Sequence, residues 1–191
     1  MPTDPRPDPR PDARLAALFD DLEQQASGLR LTERDREVAE QRRAEYAAVD
    51  LVSRLHGSVG ADVEVATPVV GTLHGRLRRV GAGWLLLTDG AAGSGGEWIV
   101  RTAAVTSVRG LADRAVAAEA RGVTARLGLG SALREVVAAR RETVLHLGDG
   151  RVLRGRPGRV GADFLELGPA CEPGYPDVVP FTALVALQVR P

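Results

Sequence analysis

Leu73-His-Gly-Arg-Leu-Arg-Arg-Val-Gly-Ala-Gly-Trp-Leu-Leu-Leu87 returns, lightly edited, as Leu153-Arg-Gly-Arg-Pro-Gly-Arg-Val-Gly-Ala-Asp-Phe-Leu-Glu-Leu167. The step is 80 residues without a gap, nine of the fifteen positions are identical, and Trp84 falls on Phe164. Read at the same step, Ile99-Val-Arg-Thr-Ala-Ala-Val105 falls on Val179-Pro-Phe-Thr-Ala-Leu-Val185. Two blocks recurring at one step mark a small folding unit present twice. A unit of about 50 residues buries little surface alone, so each is expected to lean on the other, on helices or on another subunit.

Within the repeat the hydrophobic period is two. Val63 and Val65 alternate with Glu64 and Ala66, and Leu73, Gly75 and Leu77 alternate with His74, Arg76 and Arg78. That is the pattern of half-buried strands. Gly148-Asp-Gly150 between two such runs signals a hairpin. Each copy, over 62–110 and 143–190, reads as five short strands.

Outside the copies the pattern turns helical. Asp12 and Thr32 stand as caps for helices over 13–27 and 33–56, with Asp35 in capping-box position. Leu15, Leu18, Phe19 and Leu22 share one face of the first. The first half of the second helix is almost entirely charged. Residues 111–141 return to helix-like composition, and residues 1–12, with proline at nearly every second place, read as a disordered extended arm.

All 25 basic residues are arginine, against 25 acids, and the chain has no lysine and no asparagine. No Lys can act as nucleophile or Schiff base, and no Asn can read a base edge. Formal net charge is zero, whereas a dedicated nucleic-acid binder usually carries a basic excess. The balance tilts along the chain: 9 Arg against 12 acids in residues 1–60, then 16 against 13. Cys171 is alone, which excludes a disulfide framework or cysteine metal site. No apolar run is long enough for a membrane span and no signal segment is evident, so a cytoplasmic protein is expected.

The second copy resembles an Sm-fold domain of the Sm/Hfq family. The resemblance rests on Val144-x-Leu-x-Leu-Gly-Asp-Gly-Arg-Val-Leu-Arg-Gly155, Val160-Gly-Ala-Asp-Phe-Leu-Glu-Leu167 and Pro180-Phe-Thr-Ala-Leu-Val-Ala-Leu187. The first copy matches the same outline through Gly71-Thr-Leu-His-Gly75, Val80–Leu87 and Ile99–Val108. The resemblance implies an α+β, mainly β fold: an N-terminal helical hairpin, then two Sm-like five-stranded antiparallel small barrels related by the 80-residue repeat. The domains expected are an arm (1–12), a helical hairpin (13–56), barrel one (57–110), a helical linker (111–141) and barrel two (142–191). The family's base-binding groups are not carried over. Gly81 and Gly161 occupy the place of the strand-three aspartate, and only Arg101 offers a partial substitute for a Lys-His pair.

The best candidate surface is an arginine row on each copy: His74, Arg76, Arg78 and Arg79, with Arg154, Arg156 and Arg159. Alternation puts His74, Arg76 and Arg78 on one strand face. Arginine forms bidentate phosphate contacts, and Trp84 or Phe164 could stack a base. The plain alternative is a solvated outer strand face, with Trp84 and Phe164 packing in a core or interface. His56, His74 and His146 lack metal-ligand spacing. Ser94 lacks a nucleophile elbow, and Gly128-Leu-Gly-Ser131 lacks the lysine of a phosphate loop.

The expectation is a non-catalytic tandem Sm-like adaptor or scaffold without cofactor or metal. It would contact a protein partner, or itself, through barrel edges and helix 33–56, as an intrachain pseudo-dimer or homo-oligomer. RNA binding through the arginine face is the alternative.

Overall fold

The computed structural model describes residues 33–34, 36–89, 96–169 and 174–190. The arm, the helix expected over 13–27, Ser94 and Cys171 lie outside them. The chain divides into Met1–Val49 and Asp50–Pro191. The first unit contributes helix α1, residues 36–47, exposed along its length.

The single helix expected over 33–56 is interrupted at 48–50. Asp50 is extended (φ −84°, ψ 163°), and its carboxylate accepts the Ser53 N–H at 2.6 Å, capping a new helix, α2, Leu51–Gly57. Its aliphatic half thus becomes a short amphipathic element with Leu55 fully buried.

The strands are β1 (Asp62–Thr67), β2 (Gly71–Gly81), β3 (Trp84–Asp89), β4 (Glu97–Arg101), β5 (Ser107–Arg109), β6 (Thr143–Leu147), β7 (Val152–Val160), β8 (Phe164–Pro169), β9 (Asp177–Pro180) and β10 (Leu184–Val189). Between β5 and β6 an irregular strap with two 3₁₀ turns leads to helix α3, Leu129–Ala138. Leu129, Ala132, Leu133 and Val136 are its buried stripe, at i, i+3, i+4 and i+7.

The expectation of an N-terminal helical hairpin followed by two five-stranded barrels is overturned. The described strands form one open ten-stranded antiparallel sheet, in the order β5-β1-β2-β3-β4-β10-β6-β7-β8-β9. Closure of each half would require β4 to pair with β5 and β9 with β10. Instead β4 pairs with β10 over four residue pairs, Val100↔Ala186 to Glu97↔Val189. β5 has only three residues and pairs with β1 alone. The longer ladder satisfies more of the backbone groups of β4, which would otherwise stand open.

The two halves carry the same strand order, but the repeat step is not constant. Trp84 pairs with Arg101 and Phe164 with Pro180. The step is therefore 80 from Trp84 to Phe164 but 79 from Arg101 to Pro180. Likewise Val65 pairs with Val108 and Leu145 with Leu187. The 80-residue alignment of the second block is thus corrected by one residue. A one-residue slip exchanges the faces of every side chain. The structural counterpart of Ile99 is Val178, and that of Val100 is Val179.

The buried face changes sides where the halves meet. Val100 and Ala186 pack with Leu55, Val65, Leu77 and Leu85 in the first core. Their strand neighbours Ile99 and Leu187 pack under α3 with Leu133, Leu145 and Leu165 in the second. Each core contains residues of the other half: Val185 and Ala186 in the first, Trp84 and Ile99 in the second.

Candidate functional site

Alternation turns His74, Arg76 and Arg78 of β2 and Arg154 and Arg156 of β7 outward, and bulges after Leu77 and Pro157 break it before Arg79 and Arg159. The structure does not bring the rows together. β2 and β7 are five strand steps apart in the sheet order, about 24 Å along the hydrogen-bonding direction. Since the buried face switches between the halves, the rows also lie on opposite faces of the sheet.

Most of these groups are engaged locally. His74 Nδ1 lies 3.6 Å from Glu64, and Arg76 Nε donates to the Gly60 carbonyl at 2.8 Å. Arg79 donates to both oxygens of Glu135, at 2.8 and 3.4 Å. Arg156 lies 3.7 Å from Glu142 and Arg159 3.0 Å from Glu166. Arg101 donates from Nη1 to the Phe181 carbonyl at 2.6 Å and also to that of Thr182. Arg78 and Arg154 stand exposed on their strands. Three of the six row arginines, Arg79, Arg156 and Arg159, are answered by a carboxylate, which halves the positive field that would draw in a polyanion.

Trp84 is 1 % exposed, and its indole N–H donates to the Leu127 carbonyl at 2.8 Å. The Arg79 guanidinium sits 5.5 Å from its ring centroid. Its ring is a structural anchor between β3 and the strap, with no open face for a base. Phe164 is half-buried at the equivalent place. Gly81 and Gly161 now gain a reason. A Cβ on Gly81 would strike the Trp84 indole, and one on Gly161 the Phe164 ring.

Among the described residues the sheet ends in two unpaired edges. β5 presents Ser107, Val108 and Arg109, and β9 presents Asp177, Val178, Val179 and Pro180. These edges are the counterparts of the pair already joined inside the chain, since β9 corresponds to β4 and β5 to β10. Ile99 in the joined edge is 4 % exposed, whereas its counterpart Val178 is 60 % exposed. Carrying the internal register over at the 79-residue step sets Val108 against Val178 and Arg109 against Asp177. The first pair is apolar and the second opposite in charge. Asp177 and Arg109 were missed in the sequence because their register follows from the β4–β10 joint, which no residue spacing reveals.

Among the described residues no group of three or more His, Cys, Asp or Glu could hold a metal ion. No described helix is long and apolar enough to cross a membrane. His56 and His146 have buried Nε2 atoms without a hydrogen-bond partner among the described residues. Burial, with Arg121 near the first and Arg154 near the second, holds both imidazoles below their ordinary pKa.

No protein-family model matches the chain, and no curated protein matches it.

Proposed function

We propose that the chain is a non-catalytic cytoplasmic scaffold whose working surfaces are the two open edges of its sheet, and that a second copy of the chain occupies them. The observation that carries this reading is the β4–β10 ladder, which already joins one such pair of edges within the chain. The free β9 and β5 edges repeat that geometry, with Val178 exposed and Asp177 facing the register position of Arg109. Such a contact is head-to-tail, so copies close into a ring or extend as a filament. The Sm-like resemblance belongs to the same proposal: two Sm-like repeats share one sheet. The exposed, charged α1 supplies a second attachment surface for a protein partner.

Multi-angle light scattering across a concentration series tests this. The wild-type chain should gain mass with concentration. Asp177→Arg and Arg109→Asp should each weaken assembly, and mixing the two variants should restore it through the re-formed pair. A chain that stays monomeric at all concentrations would overturn self-pairing.

Nucleic-acid binding by the arginine rows is the second reading, favoured by the outward Arg78 and Arg154. It predicts affinity that falls steeply with salt, because phosphate contacts release counterions. Fluorescence anisotropy with a labelled single strand, wild type against Arg78→Ser with Arg154→Ser, checks it.

A further inference from the structure

Where the two halves meet, α3 does not seat fully on the sheet. A cavity of about 200 Å³ remains between α3 and strands β2, β3, β4 and β10. Ala132 on α3 and Ala139, just past its C-terminal end, line it from the helix side. Its apolar wall is Leu86, Ile99, Val136 and Val189.

The polar lining consists of two ion pairs, Arg79 with Glu135 at 2.8 Å and Arg141 with Glu97 at 3.1 Å. All four side chains are partly exposed, so the cavity opens to solvent between them. The lining carries two charges of each sign and is neutral overall. A ligand with a net charge would leave one sign unanswered. One with both signs would have partners for both.

Arg141 gives Nε to the Arg190 carbonyl at 2.8 Å and Nη1 to Glu97 Oε2. Among the described residues its Nη2, and Oε1 of Glu97, carry no hydrogen bond. Half-exposed ion pairs contribute little individually, so their rearrangement around a ligand costs little.

We propose that this cavity binds a small zwitterion with an apolar body, in chemical class a free apolar α-amino acid. Its carboxylate accepts from Arg141, its ammonium donates to Glu97, and its side chain lies against Leu86, Ile99 and Val136. Because Ile99 and Val189 belong to the β4–β10 joint, the bound ligand fastens the two halves. The site is independent of the sheet edges and of any assembly through them.

Isothermal titration calorimetry on the full chain tests the assignment with free L-leucine and L-phenylalanine as probes. L-leucinamide, N-acetyl-L-leucine and glycine serve as comparisons. A ligand of this size should bind with a dissociation constant of about a millimolar or tighter. Each capped analogue loses one charged contact and should bind about three- to fivefold more weakly. Arg141→Gln and Glu97→Gln should weaken the free amino acid by a similar factor. Ala132→Leu should abolish binding while leaving the melting temperature unchanged or raised, because the added side chain fills the void. Ala139→Val serves the same purpose if that variant fails to fold. The proposal is overturned if neither free amino acid binds, if capped analogues bind as well, or if the filled variant binds undiminished.

Discussion

Arg101 Nη1 donates to the Phe181 carbonyl oxygen at 2.6 Å, tying the end of β4 to the turn that precedes β10. The same nitrogen also reaches the Thr182 carbonyl. One guanidinium thus brackets the meeting of the two halves. Its structural counterpart is Pro180, so the free edge at β9 has no such bracket.

Arg101→Ala should therefore destabilise the whole Asp50–Pro191 unit. A hydrogen bond to a charged group is worth about 1.5–3 kcal/mol, and a loss in that range is expected. Urea unfolding should show a lower midpoint with an unchanged slope, because the surface exposed on unfolding is the same. A midpoint equal to wild type would show that the bracket is not energetic.

Trp84→Phe removes the bond to Leu127 while keeping most of the apolar surface. Leu127 also accepts from the Ala82 N–H at 3.0 Å, so its oxygen is not fully orphaned. The expected cost is about 1–2 kcal/mol, measured by the same unfolding experiment. Gly81→Ala should cost more than this. The new Cβ would meet the indole and lie 2.8 Å from the Leu127 oxygen, forcing both to move.

Gly75 and Gly155 occupy equivalent places where β2 and β7 approach their neighbours closely. A Cβ on Gly75 would lie 2.5 Å from the Thr88 carbonyl oxygen, and one on Gly155 would strike the Gly168 oxygen. Alanine at either site should cost about 1–3 kcal/mol by overpacking against rigid backbone. Paired thermal melts of the two variants check whether the halves respond alike.

Stability should fall with pH below about 6.5. Burial holds His56 and His146 below the ordinary imidazole value of 6.5, with Arg121 and Arg154 adding to it; Asp50 opposes at His56. The folded state thus prefers both rings neutral, and the unfolded chain takes up protons first as pH drops through 6.5. Their contribution is full above that value and is lost below it. Asp50, held below its ordinary value by its bonds from Ser53, acts in a separate and more acid window. Denaturation at three pH values should show the loss, and His56→Gln with His146→Gln should flatten it.

The strands and their duplication were legible because both are local signals. Alternation around Leu73 and Leu77, and the recurrence of Val-Gly-Ala before Trp84 and Phe164, need no knowledge of long-range pairing. The joint was not legible, because nothing in the residues of β4 states whether its open edge meets β5 or β10. The register of the second block was misread for a similar reason. Thr102-Ala103 falls on Thr182-Ala183 at 80, and only the pairing of Trp84 with Arg101 against that of Phe164 with Pro180 reveals the extra residue. Asp50 escaped notice because a charged residue inside a long amphipathic run looks like surface. The ion pairs lining the cavity join residues 56 and 44 positions apart, beyond any spacing rule.

The exchange of residues between the two cores also shapes how the chain is made. When the first half leaves the ribosome, Trp84 and Ile99 have no cover, because α3 and β10 are not yet synthesised. At about 5–20 residues per second, that apolar edge waits several seconds for its cover. During that interval the nascent chain offers a sticky, unpaired β4 to any neighbouring copy on the same message. Until β10 is made, the β4–β10 pairing thus competes with pairing to a neighbour.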